Sequence, residues 1–156
     1  MSITYRIANI LDTEELYALS IQFTEYNVQS TGLREKFFWA DWEIGFREEI
    51  IECLMDPDSH YFVAVDEAPE GNRIIGYILG RKFDKGYYYS IEELFVVPEQ
   101  RKNSVGKQLL KMAIEQGRTY SMPVRVEIYH WNEFAKGFYI KNGFKEDSVV
   151  LEYTGN

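Results

Sequence analysis

The sequence predicts an α/β fold with one central, mixed and mostly antiparallel sheet flanked by about four helices, in the order β-α-α-β-β-β-α-β-α-β. Three observations carry that prediction. Three strand-patterned runs stand close together between His60 and Val97, joined by turns too short for anything but antiparallel neighbours. Helical spacing then returns after Pro98, and a strand and a second helix follow in alternation. At 156 residues, 46% hydrophobic and 16% aromatic, the chain holds enough apolar material for one core, so residues 1–156 are expected to form a single domain.

Taken in order, Thr4 to Ala8 alternates as a short strand. In "LDTEEL", Asp12 is a candidate helix cap, with Glu15 three residues on and Leu11 and Leu16 placed for a staple, and the helix should run to about Tyr26. "NVQSTGL" reads as a loop. From Asp41 to Met55, Trp42, Phe46, Ile50, Ile51 and Leu54 recur at helical spacing with Glu48, Glu49 and Glu52 on the other face, and "DPDS" ends that helix. "HYFVAVD", "RIIGYILGRK" and "YYYSIEELFVV" are the three strands, separated by "EAPEGN" and "FDKG". Val105, Leu109, Met112 and Ala113 form the apolar face of the next helix. "VRVEIYH" alternates as a strand, "NEFAKGFYIKNGF" is a helix closed by Gly143 and Phe144 in a Schellman-type cap, and "SVVLEYT" supplies a last strand.

Bulk charge excludes some functions. Lys plus Arg is 17 against 25 Asp plus Glu, a net charge of −8, which disfavours nucleic-acid binding and suits solubility or attraction of a cationic substrate. The one cysteine, Cys53, allows no internal disulfide and falls at a helical position suited to a small buried hydrophobe. No cluster with metal-ligand spacing exists, so no metal is expected. The start "MSITYRIANIL" lacks a signal-like apolar run, and no stretch reaches the roughly 18 apolar residues of a membrane span. A soluble, cytoplasmic protein without a membrane partner is the expectation.

Three constellations can carry chemistry. In "VVPEQRKNSVGKQLL", a strand gives way to a basic loop and then a helix start. The first N–H groups of a helix are unpaired and carry partial positive charge, so they favour an anion. Arg101, Lys102 and Lys107 add full charges, Gly106 allows close backbone approach, and a diphosphate is the natural guest. In "SIEELFVV", strict alternation puts Glu92 with Ser90, Leu94 and Val96, and Glu93 on the opposite face with Ile91, Phe95 and Val97. An acid among these aromatics has the surroundings that raise its pKa toward a general base near neutrality, and alternation does not say which of the two it is. In "HWNEFAKGFYIKNGF", Asn132 suits a helix cap, Ala135 is small where a chain can pass, and Tyr139, one turn later, is a candidate proton donor.

Together these segments resemble the GNAT superfamily of acyl-CoA-dependent N-acetyltransferases. "VVPEQRKNSVGKQLL" is similar to the family's V-x-P-x-x-R-G-x-G-[IV]-G-x-x-L-L segment, and "NEFAKGFYIKNGF" to its N-x-x-A-x-x-x-Y-x-x-x-G-F segment, in the same order and with a strand between. "IEELFVVPEQR" and "WNEFAKGFY" look most like the spermidine/spermine (diamine) acetyltransferase branch. The resemblance implies acetyl-CoA as co-substrate, no metal, and direct transfer of the acetyl group to a primary amine, with a polyamine or diamine as acceptor. It implies that the backbone of Phe95, Val96 and Val97 holds the acetyl carbonyl and pantetheine arm. The amides of Arg101, Lys102, Asn103, Ser104, Val105, Gly106 and Lys107 would wrap the pyrophosphate, and Asn132, Ala135 and Phe138 would line the pantetheine channel. Tyr139 matches the general acid for the departing sulfur and Glu92 the acid that draws a proton from the amine through water.

Glu93, Tyr26, Trp39, Asp41 and Trp42 are the candidate substrate-binding residues, an acidic and aromatic set suited to an ammonium group. A protein N-terminus or lysine as acceptor, and a non-catalytic acyl-CoA-binding regulator, are the alternatives. The loop departs from the family pattern at Lys102 and Ser104, where the family has glycine; positive φ there would strain both, while Ser104 is also a candidate cap. "YYYS" and "VVLEYT" are candidates for a homodimer contact.

Overall fold

Alternation and helical period translate into structure nearly element by element in a computed structural model, which describes residues 2–31 and 42–155. The elements are β1 (Ser2–Ile7), α1 (Thr13–Thr31), α2 (Trp42–Met55), β2 (Ser59–Ala68), β3 (Gly71–Phe83), β4 (Tyr88–Val96), α3 (Val105–Thr119), β5 (Val124–Val126) and α4 (Glu133–Lys141). Short 3₁₀ turns lie at Ile10–Asp12, Asp84–Gly86 and Pro98–Gln100. The strands form one sheet in sequence order, β1-β2-β3-β4-β5. The first four are antiparallel, and β5 lies parallel to β4, a connection made by α3 as a crossover.

Apolar residues on both faces of the sheet are covered. Val105, Leu109, Leu110 and Ala113 of α3 are fully buried against the sheet, and Leu16 and Leu19 of α1 with Ile50 and Cys53 of α2 complete the core. Cys53 is the buried small hydrophobe its helical position predicts, and burial pushes its thiol pKa up. Tyr89 is wholly buried and lies over Gly80, where a Cβ would stand 2.2 Å from the Tyr89 hydroxyl oxygen.

Two local expectations give way to tertiary contacts. Asp12 does not cap α1. It is buried, takes two 2.8 Å hydrogen bonds from the Arg6 guanidinium, and accepts from the Asn9 N–H, so Asn9 and Asp12 form a capping box around the 3₁₀ turn instead. The Arg6 bond holds the Asp12 carboxyl below the usual range. Leu11 is 89% exposed and makes no staple, and the Glu15 carboxylate accepts from Ile74 N–H in β3 at 2.7 Å. Helix α1 also runs on to Thr31, through the start of the expected "NVQSTGL" loop, and the last predicted strand is absent: 148–154 carries no regular structure and is exposed. A strand needs a ladder partner, and β5, the strand at that edge of the sheet, is only three residues long.

Candidate active site

The site begins with how β4 is paired. On one side it follows β3 along its length, from Phe83↔Tyr88 to Gly76↔Val96. On the other it meets β5 only at Tyr89↔Val124, Ser90↔Arg125 and Ile91↔Val126. From Glu92 onward β4 has an edge that no described strand covers. The Val97 N–H donates to Ile75 carbonyl oxygen at 2.9 Å, so it points into the sheet, and by alternation the N–H and C=O of Val96 point out at the open edge. Of the three residues whose backbone the resemblance assigned to the acyl group, Val96 therefore faces the opening and Val97 has its N–H committed.

A β-bulge decides where the two acids go. Arg81 pairs with Ser90, Gly80 with Ile91 and Leu79 with Glu93, so Glu92 is the extra residue opposite the Leu79–Gly80 step. Ser90 and Glu93 thus share a face although three residues apart, and Ile91 lies on the other. A Ser90 side-chain hydrogen bond to Glu92 keeps Glu92 on that same side. The strict alternation expected from the sequence, with one acid on each face, is corrected by this single unpaired residue.

Glu93 stands in an aromatic setting. Its Oε2 lies 3.5 Å from the Tyr77 hydroxyl, and Tyr77 is within ring contact of Tyr61 and Phe95. Phe23 of α1 meets Phe95 edge-on, with ring centres 6.2 Å apart. Burial, then the neighbouring charges of Glu49 and Glu92, push the Glu93 carboxyl up to about 7, against a smaller lowering by the Tyr77 bond. Glu92 is exposed, and its carboxyl is also raised, by desolvation first, with Arg81 and Ser90 opposing. Tyr77 and Phe23 were missed by sequence reasoning: their spacing marks them only as core.

The basic loop and α3 meet the open edge from below. Ser104 takes the first cap position of α3 with φ 57, the left-handed region, and its side chain makes no capping bond. The strain expected for the missing glycines therefore falls on Ser104; Lys102 is not among the residues with positive φ. Lys102 and Lys107 are exposed. Asn103 Nδ2 donates to Gln100 Oε1 at 2.7 Å, bracing the loop. A groove of about 580 Å³ runs from Asn103 and Ser104 along Lys107 and Lys111 to Arg118, bounded by Tyr5 and Asn142. Val105 anchors the helix start in the core, and a Cβ on Gly106 would lie 3.7 Å from the Phe138 ring and 3.8 Å from Val96. Gly106 is thus where α3, α4 and the open end of β4 come together.

Helix α4 is built by its caps. Asn132 Oδ1 accepts from Ala135 N–H at 3.1 Å. At the other end Gly143 has φ 95, its N–H bonds Ile140 carbonyl, and Phe144 N–H bonds Tyr139 carbonyl at 3.0 Å: the Schellman pattern. Its usual hydrophobic contact is present as the Tyr139–Phe144 ring pair. The cap fixes Tyr139, which is buried, and burial pushes its phenol pKa well up, so it holds its proton at neutral pH. Ala135 and Phe138 pack partly buried against the core.

Of the other candidate substrate-binding residues, Tyr26 is exposed on α1 beside Arg101, and Trp42 opens α2. Trp39 and Asp41 lie outside the described residues. Among the described residues no His/Cys/Asp/Glu group is arranged to hold a metal, and no helix is long and apolar enough to cross a membrane.

Past its short pairing with β5, the free edge of β4 thus adjoins the start of α3 and the capped helix that carries Tyr139. The profile of the Acetyltransferase (GNAT) family matches residues 14–144, and the chain belongs to that family. The uncharacterized N-acetyltransferase YhfO of Bacillus subtilis (strain 168) is 32% identical over 69 residues, 44% of this chain; the match spans 46% of YhfO, about half its length. Among solved structures, a tetramutant of the BH1408 protein from Bacillus halodurans superposes with a TM-score of 0.78 at 21% identity, covering 96% of this chain and 98% of that one. AAC(6')-Iy in complex with the bisubstrate analogue CoA-S-monomethyl-acetylneamine gives a TM-score of 0.73 at 18% identity, covering 100% and 99%. At these identities the likeness is one of fold.

Proposed function

We propose that the protein transfers an acetyl group from acetyl-CoA to a primary amine by direct attack in a ternary complex. The observation that carries this is the open half of β4, from Glu92 to Val96, set between the N-terminus of α3 and helix α4. The residues present suit the co-substrate. Backbone amides at the start of α3, with Arg101, Lys102 and Lys107 around them, fit a diphosphate, and the Val96 edge can take up an amide-bearing arm by strand-like bonds. When bound, acetyl-CoA supplies an acyl group already activated as a thioester.

The chain's own residues do the rest. An alkylammonium has an ordinary pKa near about 10.4, so the amine must lose a proton before attack. Glu92 and Glu93 form the proton-accepting pair on the acceptor face. Glu92 is the member the resemblance implies, and Glu93 the one whose pKa of about 7 suits a base near neutrality. The Val96 N–H is placed for negative charge developing on the carbonyl oxygen. Tyr139 gives its proton to the sulfur as the C–S bond breaks.

Two carboxylates and a ring of aromatics favour a small cationic acceptor, and a polyamine or diamine fits that set. Calorimetry with acetyl-CoA, followed by thiol release with spermidine, spermine, short diamines, neamine, a peptide N-terminus and a lysine peptide, tests the proposal. Thiol release with a polyamine supports it. Release with neamine alone moves the acceptor to an aminoglycoside, and release with peptides alone removes the small-amine reading. Binding without release on the whole panel would leave a non-catalytic acyl-CoA binder.

A further inference from the structure

Arg101 is the first residue after the Pro98–Gln100 turn, in the loop assigned above to the pyrophosphate, yet its side chain turns back toward the sheet. Its Nε donates to the Val96 carbonyl oxygen at 2.9 Å, on the open edge of β4. Its guanidinium carbon lies 5.6 Å from the centre of the Tyr26 ring on α1 and 5.7 Å from that of Phe95 on β4. Phe95 in turn touches Phe23 and Tyr77, and Tyr77 reaches Glu93. One side chain therefore joins the loop, the strand edge and the helix that walls the acceptor side.

Charge alone does not require this arrangement. Lys102 and Lys107 are exposed at the same loop and first helical turn, and carry positive charge there. What Arg101 adds is a planar fork that can donate one bond from Nε while its face lies against aromatic rings; a lysine has the charge without that nitrogen or that plane.

We propose that Arg101 is a positioning residue that couples the two substrates: by tying the phosphate loop to Val96, Phe95 and Tyr26, it transmits coenzyme binding to the acceptor wall on α1. The inference rests on the coenzyme reading above. Ordering the loop around a diphosphate holds Arg101 against Tyr26 and Phe95, so the second half of α1 tightens before an amine arrives. Positive coupling between coenzyme and amine follows, because the second ligand meets a wall already ordered by the first.

The test uses the full chain with CoA as the probe. Calorimetry gives CoA affinity, and hydrogen exchange of the segment spanning Tyr17 to Thr31 is measured with and without saturating CoA. In the unmodified protein CoA is expected to slow exchange in that segment. In Arg101→Lys, compared at CoA concentrations that calorimetry shows to be saturating for the variant, the slowing should be lost. Tyr26→Leu, which leaves the loop intact, should lose it too. If Arg101→Lys keeps the CoA-dependent slowing, or if α1 does not respond to CoA in the unmodified protein, the coupling is overturned. If Arg101→Gln weakens CoA by about tenfold while α1 still responds, Arg101 is a phosphate ligand and no more. Should the unmodified protein bind no CoA at all, the coenzyme reading itself fails and takes this inference with it, a result distinct from binding without coupling.

Discussion

The two ends of β4 behave differently although they are one strand. At its start, Tyr89 is fully buried, its hydroxyl lies 3.1 Å from His60 Nδ1, and His60 Nε2 lies 3.3 Å from the Tyr120 hydroxyl at the end of α3. Strands β3 and β5 pair with it on both sides there. Past the bulge at Glu92, β3 alone pairs with it among the described strands, and two acids, Glu92 and Glu93, follow on the face that carries Ser90. The closed end satisfies its polar groups internally, and burial holds His60 below its ordinary pKa. At the open end the partners are side chains instead of a second strand: Arg101 on the Val96 carbonyl, Tyr77 on Glu93 and Ser90 on Glu92. A buried half paired on both sides runs directly into a half with one free edge, the support a pre-organised site needs.

The largest expected effect lies at the open end. Tyr139→Phe should lower kcat by about 100-fold, the scale of a lost general acid, with CoA affinity within about twofold. Steady-state kinetics beside calorimetry checks this, and an enzyme at full speed would remove Tyr139 from the chemistry. At the closed end, Gly80→Ala forces a methyl group into the Tyr89 hydroxyl, and overpacking of a buried ring should cost about 2–3 kcal/mol in urea unfolding. If instead Gly80→Ala is neutral, the closed end is softer than its contacts indicate.

Glu93→Gln sets function against stability. The folded state holds a proton on Glu93 up to about pH 7, whereas an unfolded glutamate ionises near about 4.3. The native state therefore binds more protons between those values, and stability falls as pH rises through that window. Glu93→Gln should unfold later than the parent at pH 8, by up to about 3–4 kcal/mol, and about equally at pH 4. Its rate should drop about tenfold or more, and the parent's kcat/KM should rise with pH through about 7, a limb the variant loses. A variant that is slower but no more stable at pH 8 would mean that Glu93 is not a strained acid. The smallest effect belongs to the loop. Ser104→Gly relieves a left-handed backbone and loses no capping bond, so it should add about 0.5–1 kcal/mol, read as a small rise in Tm, with the CoA site intact.

What the amino-acid order determined by itself is local. The Asn132 cap, the Gly143–Phe144 closure that pins Tyr139, the helical faces of α2 and α3 and the turn between β3 and β4 depend on residues within a few positions of one another, and all appear where their patterns place them. Only the tertiary structure decided the rest. The bulge that brings Glu92 and Glu93 to one face needs β3 as its partner, and the Tyr77 contact to Glu93 crosses between the same two strands. The exposed Arg101 reaches Val96, Tyr26 and Phe95 because those residues stand on other elements, and Asp12 is drawn from its helix by Arg6 on β1. The failed expectation of a last strand has the same root. A strand, a bulge and a buried charge each require a partner distant in sequence, so local spacing can suggest them and cannot fix them.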